Sequence, residues 1–206
     1  MQTTLKSNVT FSGVGLHTGA PVMLVLRPAP ANNGIVFRRV DIAGDNALTA
    51  VWDNVAISPL NTRLTNSAGV TVSTIEHLMA ALAGTGVHNV VVDIDGPEVP
   101  IMDGSAAAFV RGIVGAGLTR LTAPLYAIEI LSDVIVEDGP AMAMLSPATS
   151  LQIDFDIDFA DAAIGRQAKT LNMANGVFVR ELCDSRTFCR SSDVDAMRAN
   201  GLALGG

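Results

Sequence analysis

The chain has 206 residues, of which 49% are hydrophobic and 4% aromatic, and its formal net charge is -7. It is long enough for one large domain or two small ones, with a core of aliphatic side chains. The acidic balance argues against nucleic acid as a partner, including binding by a ribosomal-protein-like sheet. No apolar run is long enough for a signal peptide or a membrane span, so the sequence predicts a cytoplasmic protein that does not cross a membrane.

Cys183 and Cys189 are the only cysteines. Two cysteines in a chain of this length do not make a disulfide scaffold, and they form no CxxC motif. They predict two reduced thiols.

The first third of the chain has the pattern of strands. An apolar run at 22–26 lies between a turn and two prolines, and a second run at 35–40 follows an Asn-Asn-Gly turn. This spacing predicts an antiparallel meander.

The stretch STIEHLMAAL predicts a helix over residues 73–83. Ile75, Leu78, Met79 and Leu82 fall on one helical face. A strand over 90–94 follows, because its apolar residues alternate.

After a Pro-rich turn, Asp103-Gly-Ser105 can start a second helix over 106–114. Residues 1–122 are therefore predicted to form an α+β unit of strands, helix, strand and helix.

The pattern then repeats. Residues 140–147 resemble residues 21–28, and an alternating strand at 151–159 follows. The same offset predicts a short helix near 192–202 and places a last strand and helix beyond Gly206. Residues 123–206 are therefore predicted to form a second domain that lacks its final strand and helix.

Glu76 and His77 allow two interpretations. Ser73 and Glu76 match a capping box, in which the glutamate bonds back to the cap N–H and His77 is a solvated residue. Alternatively, His77 is a zinc ligand and the glutamate is a base for metal-bound water. The HExxH motif is absent, because Ala81 stands four residues after His77.

The remaining histidines, His17 and His88, do not by themselves complete a zinc site of about three protein ligands. The sequence has no GxSxG, P-loop or GxGxxG-helix motif. Serine or cysteine nucleophiles stay open, although nothing selects one.

Four segments together resemble one family, the zinc-dependent UDP-3-O-acyl-N-acetylglucosamine deacetylases of lipid A biosynthesis. The segments are FSGVGLHTG (11–19), the long stretch from VSTIEHL to DGSAAAFV (72–110), SRTFC (185–189) and GLALGG (201–206). STIEHL followed by EVPIMDGSA is the most specific part of this resemblance.

The resemblance implies roles for five residues. His77 would be a zinc ligand, and Glu76 the base that takes a proton from zinc-bound water, which attacks the N-acetyl group of a UDP-linked acylated glucosamine. Thr187 would donate a hydrogen bond to the oxyanion. Phe188 would border the passage for the acyl chain, and His17 would lie near the substrate. If Glu76 is catalytic, its carboxylate should face the metal and not the Ser73 N–H.

The family fold implied by the resemblance is α+β: two similar sheet-plus-two-helix domains packed helix-to-helix, the second incomplete here. An inserted strand-helix unit for the acyl passage would fall within residues 160–182.

The sequence departs from the family at its end. The other two zinc ligands belong to an HKxxDxxGD-like segment, which would follow residue 206. We therefore expect the chain to be inactive alone and to associate through its uncovered second domain. The alternative is a truncated, non-catalytic paralogue that binds an acyl-sugar or a partner chain.

Overall fold

The computed structural model describes residues 1–58 and 60–206 and has a mixed α+β architecture. The helices of this part of the chain are α1 Glu76–Thr85, α2 Ala107–Ala116 and α3 Ser191–Ala199, with a 3₁₀ turn at Trp52–Asn54 and a π-helical turn at Phe178–Leu182. The strands are β1 Thr3–Leu5, β2 Val9–Val14, β3 Pro21–Pro28, β4 Ile35–Arg39, β5 Ala47–Thr49, β6 Val55–Ala56, β7 Arg63–Thr65, β8 Thr71–Val72, β9 Val90–Ile94, β10 Leu118–Arg120, β11 Val134–Asp138, β12 Ala141–Leu145, β13 Gln152–Asp158 and β14 Arg166–Asn172.

The main sheet has five strands in the order β2-β3-β9-β4-β5. Its pairs are antiparallel, except for β4 and β9, which are parallel. The predicted meander is therefore wrong, because β9 lies between β3 and β4. The cause is the connection through α1, since a helical crossover returns the chain parallel to an earlier strand.

The first helix is confirmed, with its start shifted to Glu76. Leu78 and Leu82 are fully buried, Ile75 is almost so and Met79 is partly buried, so the predicted apolar face is the packed one. The helix ends at Gly86, whose φ of 77° is in the left-handed region that favours glycine.

The second helix is also confirmed and packs beside α1. Phe109 is fully buried and makes an edge-to-face contact with Phe11 of β2, with ring centroids 5.0 Å apart. Such pairs add stability beyond the area they bury. The core of the molecule thus lies between the main sheet and the α1–α2 pair.

The second half of the chain forms two separate hairpins, β11–β12 and β13–β14. Strands at the predicted 140–147 and 151–159 and the helix near 192–202 are confirmed as β12, β13 and α3. A strand followed by a helical turn also occupies the expected insert range, as β14 and Phe178–Leu182.

The two hairpins leave most of their apolar side chains exposed, including Ile135, Met142 and Phe155. The second half of the chain contacts the first half at several places, one of which lies at Phe178. There Phe178 is buried against Gly84 of α1, so closely that a Cβ at Gly84 would collide with its ring.

No helix within residues 1–58 and 60–206 is long and apolar enough to cross a membrane. Both cysteines are free thiols, as predicted. Burial, followed by the nearby Asp184 carboxylate, raises the pKa of the Cys183 thiol.

Candidate active site

Glu76 is the first residue of α1, and its carboxylate is partly exposed. Its Oε2 accepts a hydrogen bond from the backbone N–H of Thr62 at 3.1 Å. The Ser73 N–H donates elsewhere, to the carbonyl oxygen of Pro97 at 2.9 Å. The capping-box interpretation is therefore wrong, and the carboxylate does not fold back on Ser73.

The chain enters α1 through a strained residue. Thr74 has a φ of 57°, in the left-handed region that a β-branched residue rarely adopts. Its hydroxyl donates to Oε1 of Glu98 at 2.8 Å, and Thr74 is only 2% exposed. This contact holds the conformation that places Glu76 and His77 at the helix start.

Glu98 also holds the loop that carries His17. Its Oε1 accepts the His17 N–H at 2.9 Å, and its Oε2 accepts the Thr18 N–H and the Thr18 hydroxyl, each at 2.9 Å. Glu98 is 2% exposed. One buried carboxylate therefore fixes the His17 loop against the entrance to α1.

The hydrogen bonds keep Glu98 ionised. Burial raises the pKa of this carboxyl, but the N–H groups of His17 and Thr18, with the hydroxyls of Thr74 and Thr18, together hold its pKa below the ordinary value. A carboxylate that accepts several such bonds is stable without a cation.

His17, Thr187 and Phe188 line one cavity of about 820 Å³. The carboxy-terminal segment closes one side, where the Gly205 N–H donates to the Leu16 carbonyl oxygen at 3.0 Å. The structure thus brings together three of the five residues identified from the sequence. Glu76, like its neighbour His77, is not among the residues that line this cavity.

Thr187 and Phe188 also border a second cavity, of about 700 Å³, along the β13–β14 hairpin. The Thr187 N–H donates to the Gly104 carbonyl oxygen at 2.9 Å, which ties this segment to the turn before α2. The Phe188 ring lies 5.5 Å from the Phe159 ring. Phe188 therefore stands between the two cavities.

The described side chains do not complete a metal centre around His77. No group of three or more His, Cys, Asp or Glu side chains within residues 1–58 and 60–206 could hold a metal ion. His88 follows the far end of α1, about 15 Å along the helix axis, and its Nδ1 accepts the Thr3 N–H. Asp103 bonds to the hydroxyl of Ser105 at 2.7 Å. A catalytic zinc, which takes about three protein ligands, does not fit these residues alone.

Glu98 and Arg63 were not predicted as site residues, although both lie beside the His17 loop. A signal for Glu98 was available, because a charged residue between two prolines in an apolar stretch needs buried partners. Arg63 gave no signal, since an arginine in a short strand is ordinarily solvated.

The chain is similar to known proteins of one family along almost its whole length. The sequence profile of the family described as "LpxC: UDP-3-O-acyl N-acetylglycosamine deacetylase" matches residues 2–206. A relative from Phenylobacterium zucineum (strain HLK1) is 50% identical over 206 residues, which are 100% of this chain and 70% of the relative.

Two further relatives show the same pattern. The protein from Pseudoalteromonas atlantica is 44% identical, with 100% of this chain and 68% of the relative covered. The protein from Citrifermentans bemidjiense is 46% identical, with 100% and 67% covered. All three relatives are named UDP-3-O-acyl-N-acetylglucosamine deacetylase. With this identity along its full length, the chain belongs to the UDP-3-O-acyl N-acetylglycosamine deacetylase (LpxC) family.

Proposed function

We propose that this chain serves the hydrolysis of the N-acetyl group of UDP-3-O-(3-hydroxyacyl)-N-acetylglucosamine, in the cytoplasmic synthesis of lipid A. The observation that carries the proposal is the family match over residues 2–206, which includes the Glu76-His77 pair. The relatives' names supply the reaction and the substrate.

Glu76 is our candidate for the general base. Its carboxylate is partly exposed, and the structure gives it one backbone donor, Thr62, on one oxygen. The other oxygen is available to take a proton from an attacking water. The start of α1 also favours an anionic side chain at this position.

Thr187 and Phe188 are our candidates for substrate contacts. The Thr187 hydroxyl can donate to the oxyanion that forms when the amide carbonyl is attacked. Phe188 lines both cavities, and each of them is mainly apolar with a few polar side chains. This position suits the border of an acyl-chain passage, and His17, which lines the larger cavity, would also contact the substrate.

We propose zinc as the cofactor, with His77 as one ligand. Because the described residues do not supply the remaining ligands, we expect the 206-residue chain to be inactive alone. The further ligands would come from a segment of the kind that follows GLALGG in the family.

We also propose two domains, 1–122 and 123–206. In the first, β9 bonds to both β3 and β4 and so joins two hairpins. In the second, the hairpins β11–β12 and β13–β14 belong to separate sheets. Their exposed apolar faces favour association with another polypeptide.

A second candidate function is non-catalytic binding of an acyl-sugar. The two cavities beside Phe188 favour it, since neither needs a complete metal site to accept a ligand. Under this alternative, the ligand would bind to the isolated chain without release of acetate.

The test measures acetate release from the acylated UDP-sugar. We would compare this chain with a chimera in which the part of the Phenylobacterium relative that the chain does not cover follows Gly206. We expect turnover and about one zinc per molecule in the chimera alone. Glu76→Gln should reduce turnover by about a hundredfold or more, and His77→Ala should remove the zinc.

Glu129→Gln is the matched control, because Glu129 is exposed and distant in sequence from the site. Full turnover by the Glu76→Gln chimera would contradict the role of the base. A folded, zinc-loaded chimera that binds the substrate without releasing acetate would favour the binding alternative. Turnover by the 206-residue chain itself would overturn the expected inactivity.

A further inference from the structure

A third cavity, of about 300 Å³, lies on the other side of the His17 loop. We call it the Arg63 pocket, and its polar lining includes His17, Ser58, Asn61, Arg63 and Glu98. His17 belongs to the loop after β2, and Glu98 belongs to the turn between β9 and α2. Ser58 and Asn61 precede β7, and Arg63 is its first residue. None of the catalytic roles proposed above uses Arg63 or Asn61.

Two residues of this lining carry three buried nitrogen atoms that have no hydrogen-bond partner within residues 1–58 and 60–206. They are Nδ1 and Nε2 of His17 and Nε of Arg63. His17 is only 7% exposed, so its ring cannot reach bulk solvent freely. Buried polar atoms are almost always paired, so unpaired ones call for a partner such as a water, an ion or a ligand.

The pocket is rich in donors. Arg63 is held by a bond from its Nη2 to the Ile57 carbonyl oxygen at 2.9 Å. It forms no ion pair with any residue that the structure describes. The Ser58 hydroxyl donates to Oδ1 of Asn61 at 3.1 Å, so the Asn61 amide oxygen is already bonded while its N–H groups can still donate.

Glu98 is the carboxylate in the lining, and its acceptor capacity is already used. Oε1 accepts from His17 N and Thr74 Oγ1, and Oε2 accepts from the backbone and hydroxyl of Thr18. It therefore does not compete for Arg63. The groups left without a partner are a guanidinium N–H and an imidazole that donates through at least one nitrogen.

We propose that the Arg63 pocket binds a small oxyanion, a carboxylate or a phosphate group, through Arg63 Nε, the His17 ring and the Asn61 amide. Guanidinium groups bind both kinds of anion by charge-assisted hydrogen bonds. The volume is at the lower end of the range for small-molecule sites, roughly 300–1,000 Å³, so one such group fits and a whole nucleotide sugar does not. If the proposed deacetylase function holds, the source is either the acetate product or a phosphate of the substrate; binding itself does not depend on that function.

The experiment titrates the intact chain with sodium acetate, sodium phosphate or sodium chloride at constant ionic strength. The readouts are the melting temperature and the NMR signals of Arg63 Nε–Hε and the His17 ring. An anion that binds only the folded protein raises the melting temperature with concentration. We expect acetate, phosphate or both to raise it and to shift both sets of signals, and chloride to do neither.

Arg63→Gln should weaken anion binding by about tenfold or more, since a charged hydrogen-bonding partner is lost. Arg120→Gln, at an exposed position in β10, should bind as the unaltered chain does. If Arg63→Gln fails to fold, Arg63→Lys keeps the charge and tests whether the guanidinium geometry is needed. A response to acetate alone identifies the product as the source, and a response to phosphate alone identifies the substrate. Equal responses to all three salts, or unshifted Arg63 and His17 signals, would overturn the proposal.

Discussion

At the scale of single residues, Glu98 has the most far-reaching contacts in the candidate site. It is a buried anion whose bonds reach the His17 loop, 80 residues earlier at Thr18, and the entrance to α1 at Thr74. Removing its charge would leave the His17 and Thr18 N–H groups facing a weaker acceptor.

We expect Glu98→Gln to lower the free energy of unfolding by about 2 kcal/mol, because bonds to a charged acceptor are replaced by weaker ones. Urea unfolding at neutral pH would measure this, with Glu129→Gln as an exposed control that should change stability by less than about 0.5 kcal/mol. Equal stabilities of the two variants would show that the Glu98 charge is not needed.

The pKa of Glu98 also predicts how its contribution to the free energy of unfolding changes with pH. The folded-state pKa of Glu98 is below its ordinary value of 4.5, so its stabilisation is fully present above the unfolded-state pKa. That stabilisation is lost as the pH falls through the folded-state pKa. We expect the stability gap between the unaltered chain and Glu98→Gln, measured by urea unfolding, to narrow between neutral pH and about pH 3. A gap that stays constant would contradict this assignment.

Residue patterns could predict part of this site. The helical position of Glu76 and the presence of His17 near a cavity followed from local sequence and family resemblance. The roles of Glu98 and Arg63 could not be predicted in this way, because the residues near them belong to other segments of the chain. A hydrophobic pattern within one segment does not indicate contacts with another segment.

At the scale of secondary-structure elements, β9 holds the main sheet together. On one face, Val90, Val92 and Ile94 are fully buried. On the other, Asp93 bonds to Arg27 of β3 at 2.5 Å and to Arg38 of β4 at 2.6 Å. Burial raises the pKa of Asp93, but the two guanidinium groups together hold its pKa below the usual range.

We expect Asp93→Asn to lower the free energy of unfolding by about 2 kcal/mol, since both charge-assisted pairs across β9 are lost. Asp53→Asn is the control, because Asp53 is exposed in the 3₁₀ turn. Denaturant unfolding would measure the free energy of unfolding of both variants and of the unaltered chain. An Asp93→Asn protein as stable as the control would mean that the pairs contribute nothing net.

The positions of β3, β4 and β9 were predicted from alternation and turns, but their order in the sheet was not. A hydrophobic period indicates that a segment is a strand and which face it buries. It does not indicate the neighbour, which here depends on the crossover through α1.

At the scale of the whole molecule, the two halves differ in how well they are packed. The first half has a continuous core, whereas the strands β11 and β12 are exposed throughout. The contact of Phe178 with Gly84 is one of those that attach the second half, together with the Thr187–Gly104 and Gly205–Leu16 hydrogen bonds. The sequence located the elements of the second half, but it did not indicate that the π-helical turn packs against α1 at the position where Gly84 has no side chain.

We expect Gly84→Ala to detach the π-helical turn and to increase protease cleavage and amide exchange around Phe178, because the new methyl group would overlap the ring. Gly115→Ala is the matched control: it is also within a helix, and an added Cβ there meets nothing. That variant should be unchanged or more stable by up to about 1 kcal/mol. Identical exchange around Phe178 in both variants would contradict the proposed attachment.

Because β9 lies in the middle of the main sheet, the sheet cannot be completed until this strand has paired with both β3 and β4. Asp93 is 66 residues from Arg27 and 55 from Arg38 along the chain, so its strand meets its neighbours late. The hairpins β2–β3 and β4–β5 need only local contacts and can form first. Until β9 enters between them, each hairpin presents an open edge to other chains. Aggregation during refolding should therefore depend on protein concentration in the period before the five-stranded sheet is complete.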